Sequence, residues 1–185
     1  SLINPTIIKK AAEIFGSQCI IVSIDIKKRG GKYEVFSNSG EKATGLNPIK
    51  WAKEVESLGA GEIFLNSIDK DGSKSGYDLE IVKKVADFVS IPVIACGGVG
   101  RSEHFLDVFL KTSVSAAAAG NFFHFTEHSP IIVKSFLLRN GVDVRLDSYA
   151  DYRDAEFVGK SGRISKRPDS HLDKLRFEYL PEEII

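Results

Sequence analysis

The chain contains no methionine, only two cysteines and no excess of either charge, 25 basic side chains being matched by 25 acidic ones. That balance argues against an extended nucleic-acid surface, which needs a basic face, and leaves room only for local basic patches. No apolar run approaches the roughly 20 residues that span a bilayer, and the first residues lack a signal-peptide pattern. Cys19 and Cys96 have no metal-ligand spacing and lie in predicted strands, so they read as buried, reduced thiols of a cytoplasmic protein. His104, His124, His128 and His171 also lack ligand spacing. His124, inside Phe122-Phe123-His124-Phe125, reads as part of an aromatic wall or as a buried hydrogen-bonded ring, and no metal is expected. Without Met, Ser1 is not an initiator, and the chain is expected to be the remainder of a longer one.

What is present organises itself by punctuation. The 185 residues, 43% of them hydrophobic, suffice for one globular core. Asn4-Pro5 opens a predicted helix that Gly16 closes; Asn47-Pro48 with Gly59, and Ser129-Pro130 with Gly141, repeat the pattern. Asp78 and Ser102 are candidate caps of two more helices, the second carrying Phe105, Leu106, Phe109 and Leu110 at helical spacing. Between these lie four apolar runs, Cys19 to Ile24, Glu62 to Ile68, Pro92 to Cys96 and Ser115 to Phe123. Continuous apolar runs separated by helices imply buried parallel strands joined by βαβ crossovers. The long connection from Asp25 to Asn47 carries Arg29-Gly30-Gly31-Lys32 before Tyr33 to Phe36, which predicts a small hairpin over the active face.

The expected fold is therefore α/β, with four βα units. A four-stranded parallel unit has two open edges, whereas an eight-stranded (βα)8 TIM barrel has none. Residues 1–146 are expected to be the C-terminal half of such a barrel, completed by an N-terminal half or by a second copy. Residues 147–185 read as a C-terminal extension: 160–168 is basic and turn-rich, and Leu175, Phe177 and Tyr179 alternate like an edge strand.

Chemistry is expected at the carboxyl ends of the strands. Val22-Ser23-Ile24-Asp25 and Asn66-Ser67-Ile68-Asp69 repeat a Ser-Ile-Asp ending, each followed by a basic, glycine-containing loop. Strands roughly 4.8 Å apart let Asp25 and Asp71 flank one small substrate and divide acid and base work between them. The plainer alternative is that such acids cap turns, and Asp69 could simply hold the loop. Gly97-Gly98-Val99-Gly100 and Gly120-Asn121 end two consecutive strands. They suit either a phosphate cradle or tight turns, and they lack the spacing of a dinucleotide fingerprint. Glu62 opens its strand at the opposite end, where solvent exposure is the simple expectation.

Gly59-Ala60-Gly61-Glu62-Ile63 through Ile68-Asp69-Lys70-Asp71-Gly72 to Lys74-Ser75-Gly76-Tyr77-Asp78 resembles the cyclase subunit of imidazole glycerol phosphate synthase, the HisF family. So do Phe15-Gly16-Ser17-Gln18, Ser39-Gly40, Ile94 to Gly98, His104-Phe105-Leu106, Phe123-His124-Phe125 and Asn140 to Leu146. The resemblance implies a (βα)8 barrel that takes ammonia from a glutaminase (HisH-like) subunit. It would insert that nitrogen into a phosphoribulosyl-formimino aminoimidazole carboxamide nucleotide, yielding imidazole glycerol phosphate and an aminoimidazole carboxamide nucleotide in histidine biosynthesis. It places Asp25 on the family's catalytic Asp of strand five and Asp71 on a supporting acid after strand six. Gly72, Gly97, Gly98, Gly120 and Asn121 fall on phosphate loops, with Ser39 and Gly40 also assigned to substrate, and Glu62 on the ammonia gate. No cofactor is implied.

Three departures stand out. The family's strand-one Asp has no counterpart here, Asn66 stands where the histidine enzyme usually has Thr, and Asn121 stands where it often has Ser. With the tail beyond Asp147, these features also fit a HisF-like subunit supplying ammonia for amidino groups on surface-polysaccharide sugars. A third expectation is a non-catalytic half-barrel that binds the glutaminase or a phosphate ligand.

Overall fold

The computed structural model describes residues 2–125 and 130–145, together with the backbone of 157–158 and 163–164. The expected helix start at Ser129, the boundary at 146/147 and the tail readings at 160–168 and 175–179 fall outside those residues, apart from Phe157–Val158 pairing antiparallel with Arg163–Ile164. After helix α1 (Thr6–Phe15) come β1 (Ile21–Arg29), β2 (Lys32–Ser37), β3 (Lys42–Ala43), α2 (Pro48–Ser57), β4 (Glu62–Ser67), α3 (Leu79–Ala86), β5 (Val93–Cys96), α4 (Ser102–Lys111), β6 (Ala116–Ala117), α5 (Asn121–Phe125) and α6 (Pro130–Arg139). The sheet order is β3-β2-β1-β4-β5-β6. β1, β4, β5 and β6 run parallel, and β2 and β3 form an antiparallel flap on the β1 edge. This parallel α/β arrangement is consistent with a (βα)8 barrel family.

The strands alternate in burial, contrary to the expectation of continuous burial. Val22, Ile24, Ile26, Ile63, Leu65, Val93 and Ala95 are buried, while Ser23, Phe64 and Ile94 between them are not. The reason is one-sided packing: Trp51, Ala52 and Val55 of α2, Ile81, Val82 and Val85 of α3, and Phe105 and Val108 of α4 join the first set in one core. The second face carries Asp25, Asn66 and Cys96.

Local rules succeed where nothing competes with them. Asn47 Oδ1 accepts the Ile49 and Lys50 N–H groups, and Pro48 follows it at the first position of α2. The expected caps at Asn4, Asp78 and Ser102 make no such bond. Asn4 accepts instead from Thr6 Oγ1, Asp78 is engaged by Tyr33, and Ser102 is the first residue of α4, with its side chain buried.

Cys19 sits in a one-turn 3₁₀ segment, Ser17–Cys19, and is exposed, so it is neither in a strand nor buried. The run Ser115 to Phe123 is not one strand. β6 covers two alanines, and Phe122 and Phe123 belong to α5, their rings meeting Phe105 at centroid distances of 5.3 and 5.8 Å. An apolar run cannot itself separate strand from helix, and Gly120 divides this one. β1 is longer than expected because the hairpin extends it to Arg29.

Gly61 gives a direct test of this packing. A Cβ there would lie 2.1 Å from the Ser17 carbonyl oxygen, which is backbone and cannot swing away. Gly61→Ala is expected to cost about 1–3 kcal/mol, read as a lowered urea midpoint with unchanged slope.

Candidate active site

Register decides which side chains meet. In the parallel ladders Asp25 pairs with Asn66, and Asn66 pairs with Cys96, so the three stand in one row across β1, β4 and β5. Asn66 Nδ2 donates to Asp25 Oδ1 at 3.0 Å, while Asn66 Oδ1 is buried without a hydrogen-bond partner. Asp25 is not the last residue of its strand. It lies where β1 nears the end of its pairing with β4 (Ile26 opposite Ser67) and begins pairing with the hairpin (Asp25 opposite Phe36). The Cys96 thiol is pushed up by burial, which outweighs the Gly97 N–H bond that lowers it; the charges of Asp71 and then Asp25 push it further. Both acids therefore lie within electrostatic reach of one sulfur, which stays protonated and is no nucleophile at neutral pH.

Asp71 is held by its loop. Lys70 and Asp71 donate their N–H groups to the Ser67 carbonyl, and the loop from Asp69 to Asp78 is tied to each neighbouring element. Lys28 N–H donates to Asp69 Oδ2 at 2.6 Å, Gly76 N–H to the Gly98 carbonyl at 2.8 Å, and Tyr77 OH to the Ala118 carbonyl at 2.9 Å. Asp69 thus holds the loop, as one of its two sequence readings has it. The glycines serve the same contact. At φ +93 and +103, Gly97 and Gly98 occupy the left-handed region, and a Cβ on them would lie 2.5 Å from Ser67 O and 2.2 Å from Gly76 O.

Gly72, Gly97, Gly98, Gly120 and Asn121 line one recess with Asp71, Cys96 and Phe122. Its volume is about 20 Å³, too small for a whole phosphate group. Ser39 and Gly40 do not line it. They form the far turn of the flap, with Gly40 close against Ile68. Glu62 begins β4 and is half-buried, not exposed; it shares a sheet face with Phe64 and Asn66, four positions along, roughly 13 Å at about 3.3 Å per residue. A larger cavity, about 530 Å³, lies away from the acids, between the flap and the starts of α2 and α3. Among the described residues no three His, Cys, Asp or Glu side chains are grouped to hold a metal, and no helix is long and apolar enough to cross a membrane.

Two participants escaped the sequence reading. Cys96 reads from sequence as a buried, reduced strand thiol, but it is half-buried at the carboxyl end of β5, directly before Gly97-Gly98. His104, which shows no ligand spacing in the sequence, is buried and accepts the Gly100 N–H at Nδ1 (3.1 Å), bracing the glycine loop; Arg101 Nε lies 3.0 Å from its other nitrogen. A neutral ring accepts only one of these donors at a time.

Acids gathered at the carboxyl ends of parallel strands, beside glycine loops, are the arrangement of the parallel α/β barrel class. Residues 1–129 match the family described as "Histidine biosynthesis protein". The "Imidazole glycerol phosphate synthase subunit HisF" of Clostridium botulinum (strain Langeland) is 54% identical over 145 residues, covering 77% of this chain and 57% of that protein. The proteins of the same name from Saccharolobus solfataricus and Pyrococcus furiosus are 51% and 48% identical over 140 and 144 residues, covering 76% and 78% of this chain. The chain belongs to the HisF family of histidine biosynthesis proteins. It spans 57% of the length of the first of these relatives and 56% and 57% of the other two.

Burial, and secondarily the Arg101 charge, lowers the His104 pKa below its usual 6.5. The unfolded chain then binds a proton that the folded chain resists. Stability should be complete above about pH 6.5 and fall as pH drops from there through the lowered value. Urea midpoints between pH 7.5 and 5.5 check this, and His104→Gln should flatten that limb.

Proposed function

We propose that this chain carries the C-terminal half of an ammonia-using cyclase/lyase centre of the imidazole glycerol phosphate synthase type. The observation that carries the proposal is the row Asp25–Asn66–Cys96 at the carboxyl ends of three adjacent strands, with Asp71 brought beside it. In this reading Asp25 is the general acid/base: it takes a proton from the incoming nitrogen and returns one to the leaving group. Asn66 donates to its carboxylate and keeps it oriented. Asp71 serves as the second acid near the same point. The recess of Gly72, Gly97, Gly98, Gly120 and Asn121 receives a phosphate oxygen, and Ser39 and Gly40 on the flap close over the nucleotide. Glu62, on the same face but at the opposite end of β4, gates ammonia entering along the strands.

The relatives are named as synthase subunits, which supports a complex with a glutaminase (HisH-like) subunit that supplies the ammonia. We assign residues 1–146 to the half-barrel and 147–185 to an extension. An N-terminal half or a second copy would complete the ring. A second reading, ammonia supply for amidino-sugar formation, is favoured by one observation: the residue fastened to Asp25 is a carboxamide with an unsatisfied oxygen.

Asp25→Asn preserves shape and removes the titrating group. In the complete protein it should cut ammonia-driven turnover of the histidine-pathway nucleotide by at least about 100-fold with little change in thermal midpoint. Unchanged turnover would remove Asp25 from the mechanism. A folded wild-type protein inactive on that nucleotide would shift the assignment to the sugar branch.

A further inference from the structure

The β1–β2–β3 meander touches the Asp71 loop, and Ile68 just before it, at three separate places. Near its base, Lys28 N–H donates to Asp69 Oδ2 at 2.6 Å. From β2, Tyr33 OH donates to Asp78 Oδ1 at 2.8 Å, with Glu80 Oε2 as a weaker acceptor at 3.1 Å. At its far turn, Gly40 packs so closely on Ile68 that a Cβ would lie 2.8 Å from Ile68 Cδ1. Asp69 and Asp78 are the two ends of the loop that presents Asp71, so the β1–β2 hairpin grips that loop at its entry and its exit.

Among the described residues, the Asp69 and Asp78 carboxylates have no other hydrogen-bond or ion-pair partner. Asp78 makes no side-chain cap bond to α3, although it stands at the capping position. Glu80 is already neutralised by Lys28 at 3.0 Å and Lys84 at 2.8 Å, which leaves the single Tyr33 proton to Asp78. The Lys28 ammonium also lies 4.8 Å from the centre of the Tyr33 ring, so the same lysine steadies the ring that bears the hydroxyl. Burial, then the Asp78 and Glu80 carboxylates, raises the Tyr33 pKa, and the hydroxyl remains a donor throughout the working pH range.

We infer that the Tyr33 hydroxyl is a positioning device: by holding Asp78 while the Lys28 main chain holds Asp69, it fixes the Asp71 loop against the site. Tyr33 touches no reacting atom in this scheme. It acts through the loop, and the inference rests on the cyclase reading for what Asp71 does once placed.

The test compares wild type, Tyr33→Phe, Asp78→Ala and Asp78→Asn in the complete protein, supplied with ammonium. Phe keeps the ring over Lys28 and removes only the hydroxyl; Asn keeps an acceptor. Tyr33→Phe and Asp78→Ala should each lower kcat by about tenfold, as displacement of a reacting group does, with KM for the nucleotide within about twofold. Asp78→Asn should retain most of the rate. Hydrogen exchange at the Lys70, Asp71, Ser73 and Gly76 amides should speed up in the two damaging variants and not in β1 or β4. Full kcat in Tyr33→Phe, or loss in Asp78→Asn equal to that in Asp78→Ala, would overturn the inference. If wild type does not turn over the nucleotide, the cyclase reading fails and exchange alone decides: faster loop exchange upholds the grip, and unchanged exchange overturns it.

Discussion

Two backbones approach each other at Gly76 and Gly98 more closely than any side chain permits, and the active face is organised around that approach. Gly76 N–H reaches the Gly98 carbonyl, and a Cβ on Gly98 would strike the Gly76 carbonyl. Tyr77 then reaches the end of β6 and Asp78 the flap, so three consecutive residues fasten one loop to three elements. The loop is exposed around Asp71 and cannot be ordered by burial alone. Hydrogen bonds to rigid neighbours supply the order instead, at about 0.5–1.5 kcal/mol each.

The core and the row of Asp25, Asn66 and Cys96 lie on opposite faces of the same sheet. Ile24, Ile26, Ile63, Leu65, Val85 and Val108 are at most 1% exposed, and burying each contributes about 1.5–3 kcal/mol. The ion pairs Lys9–Glu13, Lys83–Asp87 and Lys111–Asp107 link side chains that are 42–66% exposed at i,i+4 spacing, and such pairs contribute about 0.5 kcal/mol or less. On the other face, among the described residues, Asp25 is held by the neutral carboxamide of Asn66. A hydrogen bond from a neutral amide fixes the orientation of the carboxylate without forming an ion pair.

Much of this was legible from residue order. Periodic apolar residues and Asn-Pro or Gly punctuation located α1, α2, α3 and α4, because those signals act within one turn. The Ser-Ile-Asp repeat put Asp25 near the end of the β1–β4 pairing and Asp69 just past the end of β4. Failures came where a distant group outbid a local one. Asp78 has the identity and position of a cap, yet Tyr33, 45 residues away, claims its carboxylate. Cys19 follows an apolar pattern, yet the turn at Gly16 takes it out of the strand. Phe122 and Phe123 belong to a helix because their rings find Phe105.

By itself the sequence determined the parallel α/β class, the flap, the positions of the acids and glycine loops, and membership of the HisF family, all of which rest on short-range propensity or on motif identity. Only the tertiary structure decided that Asp25, Asn66 and Cys96 form one row, that Asn66 binds Asp25, that His104 braces the glycine loop, and that Tyr33 and Lys28 grip the Asp71 loop. These contacts depend on strand register and on how two loops approach in space. Register is set by the packing of a whole sheet face, so residues 41 apart, such as Asp25 and Asn66, become partners without any local sign of it.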